Sequence, residues 1–325
     1  MKIIAIQAEK GGVGKTTLAT TLASVLASEP HNKKVLLIDV DEQCNACFDY
    51  GITLTQIIML DQDGRTSSKL FRDTHVDMEK LTLKKIVPEI PNLSLIPSTF
   101  ELMFTERALQ DNSHETYEPL TEEEIAELGL SHTLVPQDIK LCKKRPPKQK
   151  EALVLKETIK NNAEYLNRFD YVIFDCKPSI SHINENVLMV ADSLIAVTDP
   201  SYNSLYGLAT LYRFWDKIME ARGLEADYVE SVVLNRFKPK GIIDREIEAI
   251  LTGNFDYEGI PDYAKTVFNS YSNLYVKNPV MESVKFRQRS AMCTPMVINP
   301  DKDEKRLLAE IVEPLIKKLY EEEVL

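Results

Sequence analysis

Residues 10–17 read Lys10-Gly11-Gly12-Val13-Gly14-Lys15-Thr16-Thr17 and come just after an apolar run, Ile3-Ile4-Ala5-Ile6, that predicts a buried strand. Glycines at this spacing let successive backbone N–H groups turn toward the oxygens of a phosphate, and a helix opening directly afterwards adds its positive N-terminal end. Lys15 supplies an ammonium for the terminal phosphates, and the Thr16 hydroxyl is a ligand for Mg²⁺. The strict P-loop pattern places glycine at position 9, where this chain has Glu9, so the departure sits at the loop entrance while the closing Gly-Lys-Thr is intact.

Two acidic clusters follow apolar runs: Asp39-Val40-Asp41-Glu42-Gln43, and Asp175 at the end of Phe169-Asp170-Tyr171-Val172-Ile173-Phe174-Asp175. Phosphoryl transfer needs a metal on the terminal phosphates and a group that aligns the attacking water, and carboxylates at strand ends are placed for both tasks. An aspartate after a strand is also a common turn former or helix cap, and that reading stands beside the chemical one for Asp39.

With Lys10 ahead of the glycines and both acidic motifs downstream, the chain resembles the ParA/MinD family of deviant-Walker P-loop ATPases, on the side of the ParA-type (Soj-like) members. The resemblance implies that Lys10 reaches across a dimer interface to the neighbouring subunit's nucleotide. It also implies that Asp41 positions the attacking water, that Asp39 supports the metal shell, and that Asp175 holds Mg²⁺. Asn235, after a strand-like run, matches the position that reads the adenine edge, which makes ATP the implied nucleotide. The implied nucleotide site is thus Lys10, Gly11, Gly12, Val13, Gly14, Lys15, Thr16, Thr17 and Asn235. The implied metal group is Thr16, Asp39, Asp41 and Asp175. Asp199-Pro200-Ser201 and Gly207-Leu208 match a segment beside the dimer face.

Two positions depart from the family pattern. Cys44 stands where glycine is usual, and Cys176-Lys177-Pro178 follows Asp175 where a small residue and two prolines are usual. Lys177 is open to four readings: contact with phosphate, with DNA, with the other subunit, or with solvent.

Short Val/Ile/Leu-rich segments alternate with stretches of helical spacing, which predicts a mostly parallel twisted sheet covered by helices on both faces, an α/β fold. Strands are expected at 2–8, 35–40, 93–96, 171–175, 194–198 and 229–234. Helices are expected at 16–27, 153–166, 183–191, 204–222, 244–251 and 304–321. The expected organisation is one P-loop ATPase domain over residues 1–325 with a charged insertion at about 112–150. That insertion has an acidic half (Glu115 to Glu127) and a basic half (Lys140 to Lys150) around Pro146-Pro147. It reads either as a solvated loop whose halves pair with each other or as a partner-binding or DNA-binding element.

The chain has 325 residues, 44% of them hydrophobic, and a formal net charge of −11. Size and hydrophobic content support a sizeable core, and the charge excludes whole-molecule attraction to nucleic acid or anionic lipid. Any DNA contact must use a local patch. Candidates are Lys285, Arg287 and Arg289, then Arg236, Lys238 and Lys240, then the basic half of the insertion. No run of apolar residues is long enough to span a bilayer, and the chain ends in Glu321-Glu322-Glu323-Val324-Leu325, which anionic lipid repels. A MinD-like amphipathic membrane anchor is therefore disfavoured, and a cytoplasmic protein is expected. The five cysteines include one C-x-x-C, Cys44 and Cys47, without a second pair at zinc spacing.

The resemblance further implies an ATP-state homodimer, non-specific DNA binding at the nucleoid, and a ParB-like adaptor that stimulates hydrolysis of ATP to ADP and phosphate. Rival readings are a cargo-positioning relative that does not act on DNA, an iron-protein-type reductase, for which the cysteines lack the expected placement, and a metabolic P-loop ligase with a second substrate pocket.

Overall fold

The computed structural model describes residues 1–113, 117–119, 142–144, 154–224, 229–254 and 279–321. Its described strands are β1 (Lys2–Gln7), β2 (Val35–Asp39), β3 (Leu83–Lys84), β4 (Leu93–Ile96), β5 (Tyr117–Pro119), β6 (Cys142–Lys144), β7 (Tyr171–Asp175), β8 (Ser193–Thr198) and β9 (Val229–Leu234). Among the described residues a seven-stranded sheet runs in the order β3-β4-β2-β7-β1-β8-β9. All neighbours in it pair parallel except β3 with β4.

The strands alternate their side chains between two cores. Ile3, Ala5, Leu36, Ile38, Val172 and Phe174 face one. Ile4, Ile6, Val35, Leu37, Tyr171 and Ile173 face the other. With both faces covered, each of these strands is an unbroken apolar run, which is why period-2 polarity is absent from the sequence here.

The described helices are α1 (Lys15–Ala27), α2 (Asn45–Asp49), α3 (Leu54–Gln62), α4 (Met78–Leu81), α5 (Leu102–Ser113), α6 (Val154–Asn161), α7 (Ala163–Leu166), α8 (His182–Leu188), α9 (Tyr202–Arg222), α10 (Ile242–Leu251), α11 (Val284–Ala291) and α12 (Lys302–Glu321), with a 3₁₀ turn at Ser67–Phe71. On one face, α9 buries Leu205, Leu208, Leu211, Tyr212 and Trp215. On the other, α1 packs Leu18, Leu22 and Leu26 beside Val312, Leu315, Ile316 and Leu319 of α12. The apolar side of α12 is thus turned into the core, as a docked surface helix requires. Among the described residues no helix is long and apolar enough to cross a membrane.

The helix expected over 153–166 is broken at Asn162. Its side-chain amide donates to the carbonyls of Val76 and Thr158 and accepts the Met78 N–H, so the backbone gives way to a local polar network. Most of the 112–150 insertion lies outside the described residues. Its described part is an antiparallel ribbon in which Tyr117, Glu118 and Pro119 pair with Lys144, Lys143 and Cys142, so backbone from the acidic and basic halves runs side by side.

Candidate functional site

The chain leaves β1 at the point where the sheet order reverses: β2 lies beyond β7 on one side and β8 on the other. Ligands of open α/β sheets bind at the carboxyl ends of the strands at such a point. The loop from β1 to α1 is the glycine-rich segment. Gly12 and Gly14 have φ of +76° and +97°, and Cβ atoms built on Gly11 and Gly12 would meet nothing within 4 Å. The loop therefore encloses open space above its backbone. A Cβ at Gly14 would lie 2.1 Å from Asn235 Nδ2, so that position needs glycine for both conformation and close approach. The first turn of α1 has no side-chain cap, which leaves its N–H groups facing that space.

Lys15 is 5% exposed, and its charge is felt at Asp41 and Asp175. Asp39 and Asp175 are cross-strand neighbours in the β2–β7 register, and both are fully buried. Burial, reinforced by the other's charge, pushes the Asp39 carboxyl well above its usual value. Burial likewise raises Asp175, to about 7, although Lys15 and the Thr16 hydroxyl oppose the rise.

The two carboxylates differ in what they touch. Asp39 Oδ1 accepts the Asp41 N–H at 3.1 Å and its Oδ2 accepts the Cys47 thiol at 3.5 Å, so it shapes the loop that carries Asp41. Neither oxygen of Asp175 is in a well-formed hydrogen bond; the Thr16 hydroxyl lies near enough to favour its charge but not in bonding geometry. Two orphaned, fully buried acceptors beside a threonine hydroxyl and an ammonium are the donor set that a hard cation takes. The residues fit a magnesium–phosphate group: Thr16 and Asp175 to hold the metal, the P-loop N–H groups and Lys15 to hold the phosphates.

Asp41 is buried, and burial raises its carboxyl; the Gln43 N–H, Lys15 and Lys177 pull it back. Its Oδ1 accepts the Gln43 N–H at 2.9 Å, and its carbonyl accepts the Ser98 hydroxyl. Cys44 sits in the left-handed region at φ 55°, so cysteine here adopts the backbone that glycine takes without strain. Burial holds both thiols in the protonated form, pushing Cys44 up to about 12 and Cys47 well above its usual value. Among the described residues no cluster of His, Cys, Asp and Glu forms a separate metal site.

Asn235 donates from Nδ2 to the Val13 carbonyl at 2.7 Å and accepts the Arg236 N–H at 2.8 Å. It therefore braces the P-loop as well as standing beside it. A shallow apolar cleft opens next to Gly14 and Asn235, with Leu18, Val197, Val233, Val280, Phe286 and Leu307 among its walls.

Lys10 is 43% exposed on its side chain, in contrast to the enclosed Lys15, and its ammonium rests on Asp199 and Ser201. Glu9 packs so closely on α9 that a Cβ at Gly207 would lie 2.7 Å from Glu9 Cβ. Asp199 and Ser201 stand in the segment expected beside the dimer face and Glu42 in the acidic cluster after β2, but their contacts with Lys10 and Lys177, like those made by Glu106 and Ser98, join residues remote in sequence and were not legible. For Glu42 and Glu106 the available signal was Lys177, a cation out of pattern.

The DNA-contact candidates lie on α11. Lys285 pairs with Asp301 at 2.5 Å. Arg289 forms a bidentate pair with Glu304, at 2.7 and 2.6 Å. Arg287 is exposed. Of the second group, Lys238 pairs with Glu282 at 3.0 Å, while Arg236 and Lys240 are exposed.

The fold and the loop define a P-loop nucleotide-binding protein with an additional lysine at the loop entrance. A family profile described as an AAA domain matches residues 1–129 and 112–226. The chain belongs to this family, the ParA/MinD-like P-loop ATPases.

Its relatives include the sporulation initiation inhibitor protein Soj of Bacillus subtilis, 32% identical over 211 residues, which are 65% of this chain and 63% of Soj. The chromosome partitioning protein ParA of Caulobacter vibrioides is 24% identical over 78% of this chain and 77% of its own. An uncharacterized protein of Mycobacterium tuberculosis is 25% identical over 78% of this chain. The matched region spans 64% of the mycobacterial relative and 63% of Soj, less than two thirds of either.

The fold is shared with apo McdA of Cyanothece (TM-score 0.66, 21% identity, 98% of this chain and 99% of that one). It is also shared with a plasmid partition protein of Borrelia burgdorferi bound to AMPPNP (0.61, 20%, 98% and 99%). Cobyrinic acid a,c-diamide synthase of Mycobacterium smegmatis has it too (0.56, 15%, 91% and 98%), so this fold alone does not separate partition proteins from synthases.

Proposed function

We propose that this chain is a ParA-type ATPase that binds ATP with Mg²⁺, dimerises in that state, and hydrolyses ATP to ADP and phosphate. The observation that carries the reading is the pair of P-loop lysines: Lys15 is enclosed with the carboxylates, and Lys10 stands at the rim with a large exposed fraction. An enclosed lysine serves its own nucleotide, whereas an outward one is placed to serve a second copy's.

In this reading the P-loop N–H groups and Lys15 hold the phosphates, and the apolar cleft beside Asn235 receives the base. Thr16 and Asp175 would hold Mg²⁺, which when bound would draw charge from the terminal phosphates. Asp41 aligns a water on the terminal phosphorus. The new P–O bond forms to that water as the bridging P–O bond breaks, the electron pair leaving on ADP and the water's proton on the phosphate produced. Asp39 holds the Asp41 loop through its backbone. Lys10 leaves Asp199 and completes the phosphate shell of the opposite subunit, so that ATP occupancy and dimerisation are linked.

The names of the relatives Soj and ParA support use of this switch in plasmid or chromosome partition, on non-specific DNA with a ParB-like adaptor, in the cytoplasm at the nucleoid. Arg287, Arg236 and Lys240, exposed beside the pairs made by Lys285, Arg289 and Lys238, are the first contacts to test. The proposed unit is one ATPase domain carrying the 112–150 insertion. The test is binding to random-sequence duplex DNA with ATP, ADP or no nucleotide at two salt concentrations. Binding with ATP alone, with a log-log salt slope of roughly −0.9 per phosphate contacted, is expected; nucleotide-independent absence of binding would refute the DNA role and leave a cargo-positioning ATPase.

A further inference from the structure

Lys177 follows the strand that ends in Asp175, at a position where a lysine is out of pattern, and its side chain is only 12% exposed. Its Nζ lies 3.7 Å from Glu42 Oε2 and 3.7 Å from Glu106 Oε2. Glu42 is the residue next to Asp41 in the loop after β2. Glu106 belongs to α5, and its carboxylate also accepts the N–H groups of His182 and Ile183, at 2.7 and 3.1 Å, at the start of α8.

The backbone of Lys177 is fixed as firmly as its side chain. The Asn184 amide, fully buried in α8, donates to the carbonyls of Lys177 and Ser179 at 2.8 and 2.7 Å. Ser179 occupies the left-handed region at φ 77°, a conformation that the surrounding bonds must hold against strain. The loop after β7 therefore cannot move without moving the ammonium of Lys177. That ammonium in turn sits between two carboxylates belonging to other segments. Removing it leaves Glu42 and Glu106 half-buried without their shared cation, and like charges in a partly desolvated space drive their segments apart.

A solvated lysine would be exposed and would touch one segment. This one is enclosed and joins three: the Asp41 loop, the Asp175 loop, and α5 with the start of α8. Its charge is also felt at Asp41 itself. We propose that Lys177 is a positioning residue that couples the loop carrying Asp41 to the loop following Asp175, so that the water-aligning and metal-holding carboxylates are brought to the phosphate end as one unit. This rests on the ATPase reading above. It also makes the tie mechanical: a displacement of either loop when phosphate leaves is transmitted to the other, and through Glu106 to α5 and α8.

The test uses the full chain as wild type, K177A, K177R and E42Q, the last being isosteric and a control for misfolding. Turnover and nucleotide affinity are measured together, with backbone hydrogen exchange followed in residues 41–46 and 176–183. K177A is expected to lose about tenfold to hundredfold in turnover with nucleotide affinity within about twofold of wild type, because misplacement acts on the chemical step. K177R is expected to recover most of the loss. Exchange should quicken in both segments in K177A, and E42Q should quicken it in 176–183, a segment it does not belong to. Wild-type turnover in K177A, no recovery in K177R, or exchange changes confined to the mutated loop would overturn the coupling. A wild type without ATP turnover would overturn the function reading, and the exchange pattern would still decide the coupling.

Discussion

The ammonium of Lys10 lies 2.9 Å from Asp199 Oδ2 in the same chain, 189 residues away. Burial raises the Asp199 carboxyl, but the hydroxyls of Ser201 and Ser204 and the ammonium of Lys10 outweigh it and hold the group below the usual carboxylate range. A lysine cannot serve this carboxylate and a neighbouring subunit's phosphate at once. In the proposed function the contact therefore competes with dimerisation.

Replacing Asp199 should release Lys10. The pair is partly exposed, so solvent screening limits it to about 1 kcal/mol per subunit; with two such pairs released per dimer, this corresponds to roughly a thirtyfold tighter ATP-state dimer in D199A. Sedimentation equilibrium with ATP measures it. A dimer no tighter than wild type would show that the contact imposes no barrier.

Lys15 is the buried cation whose charge reaches Asp175 and Asp41, and in the proposed function it holds the phosphates. K15A should abolish nucleotide binding, a loss of about 3 kcal/mol or more, since a buried charge cluster is left without its partner. Calorimetry with ATP and Mg²⁺ is the check, and unchanged affinity would refute the assignment.

Asp175 and Asp39 give the nucleotide-free protein a pH dependence of definite sign. Their folded-state values are raised, to about 7 for Asp175, above the unfolded carboxylate range. The folded state thus binds more protons, and its extra stability is present below the unfolded value and lost as pH rises through about 7. Thermal melts at about pH 6 and about pH 8 should show the lower-pH protein more stable, by about 1 kcal/mol per pH unit for each proton involved. D175N should flatten the dependence, and Mg²⁺ with nucleotide should do the same by favouring the charged form. A slope unchanged in D175N would contradict the assignment.

Gly207 and Glu9 touch where the P-loop entrance meets α9. G207A should cost about 1–3 kcal/mol through overpacking against Glu9 Cβ, and E9G should recover much of it in the double variant. Denaturant melts decide this, and additive losses would rule out the contact as the cause.

The sheet was legible because β1, β2, β4 and β7 are apolar runs that end at polar residues of the site, and the structure places them within a residue of expectation. Two of the elements missed had no buried stripe to announce them, whereas α5, also missed, does bury Leu102, Thr105 and Leu109. Ile57 is the only buried residue of α3, and α11 buries none, so α11 showed only as a basic stretch. The P-loop was legible as contiguous residues. The ion pairs that govern it, Lys10 with Asp199 and Lys177 with Glu42 and Glu106, join residues far apart in sequence, and no local pattern carries that information.

The link between Lys10 and a second subunit is tested most directly by the mass of the protein in ATP and Mg²⁺, using D41A to prevent hydrolysis and comparing it with K10A/D41A in an analytical ultracentrifuge. D41A is expected to sediment as a dimer and K10A/D41A as a monomer, with nucleotide still bound by both. A normal dimer from K10A/D41A would contradict the cross-subunit role of Lys10.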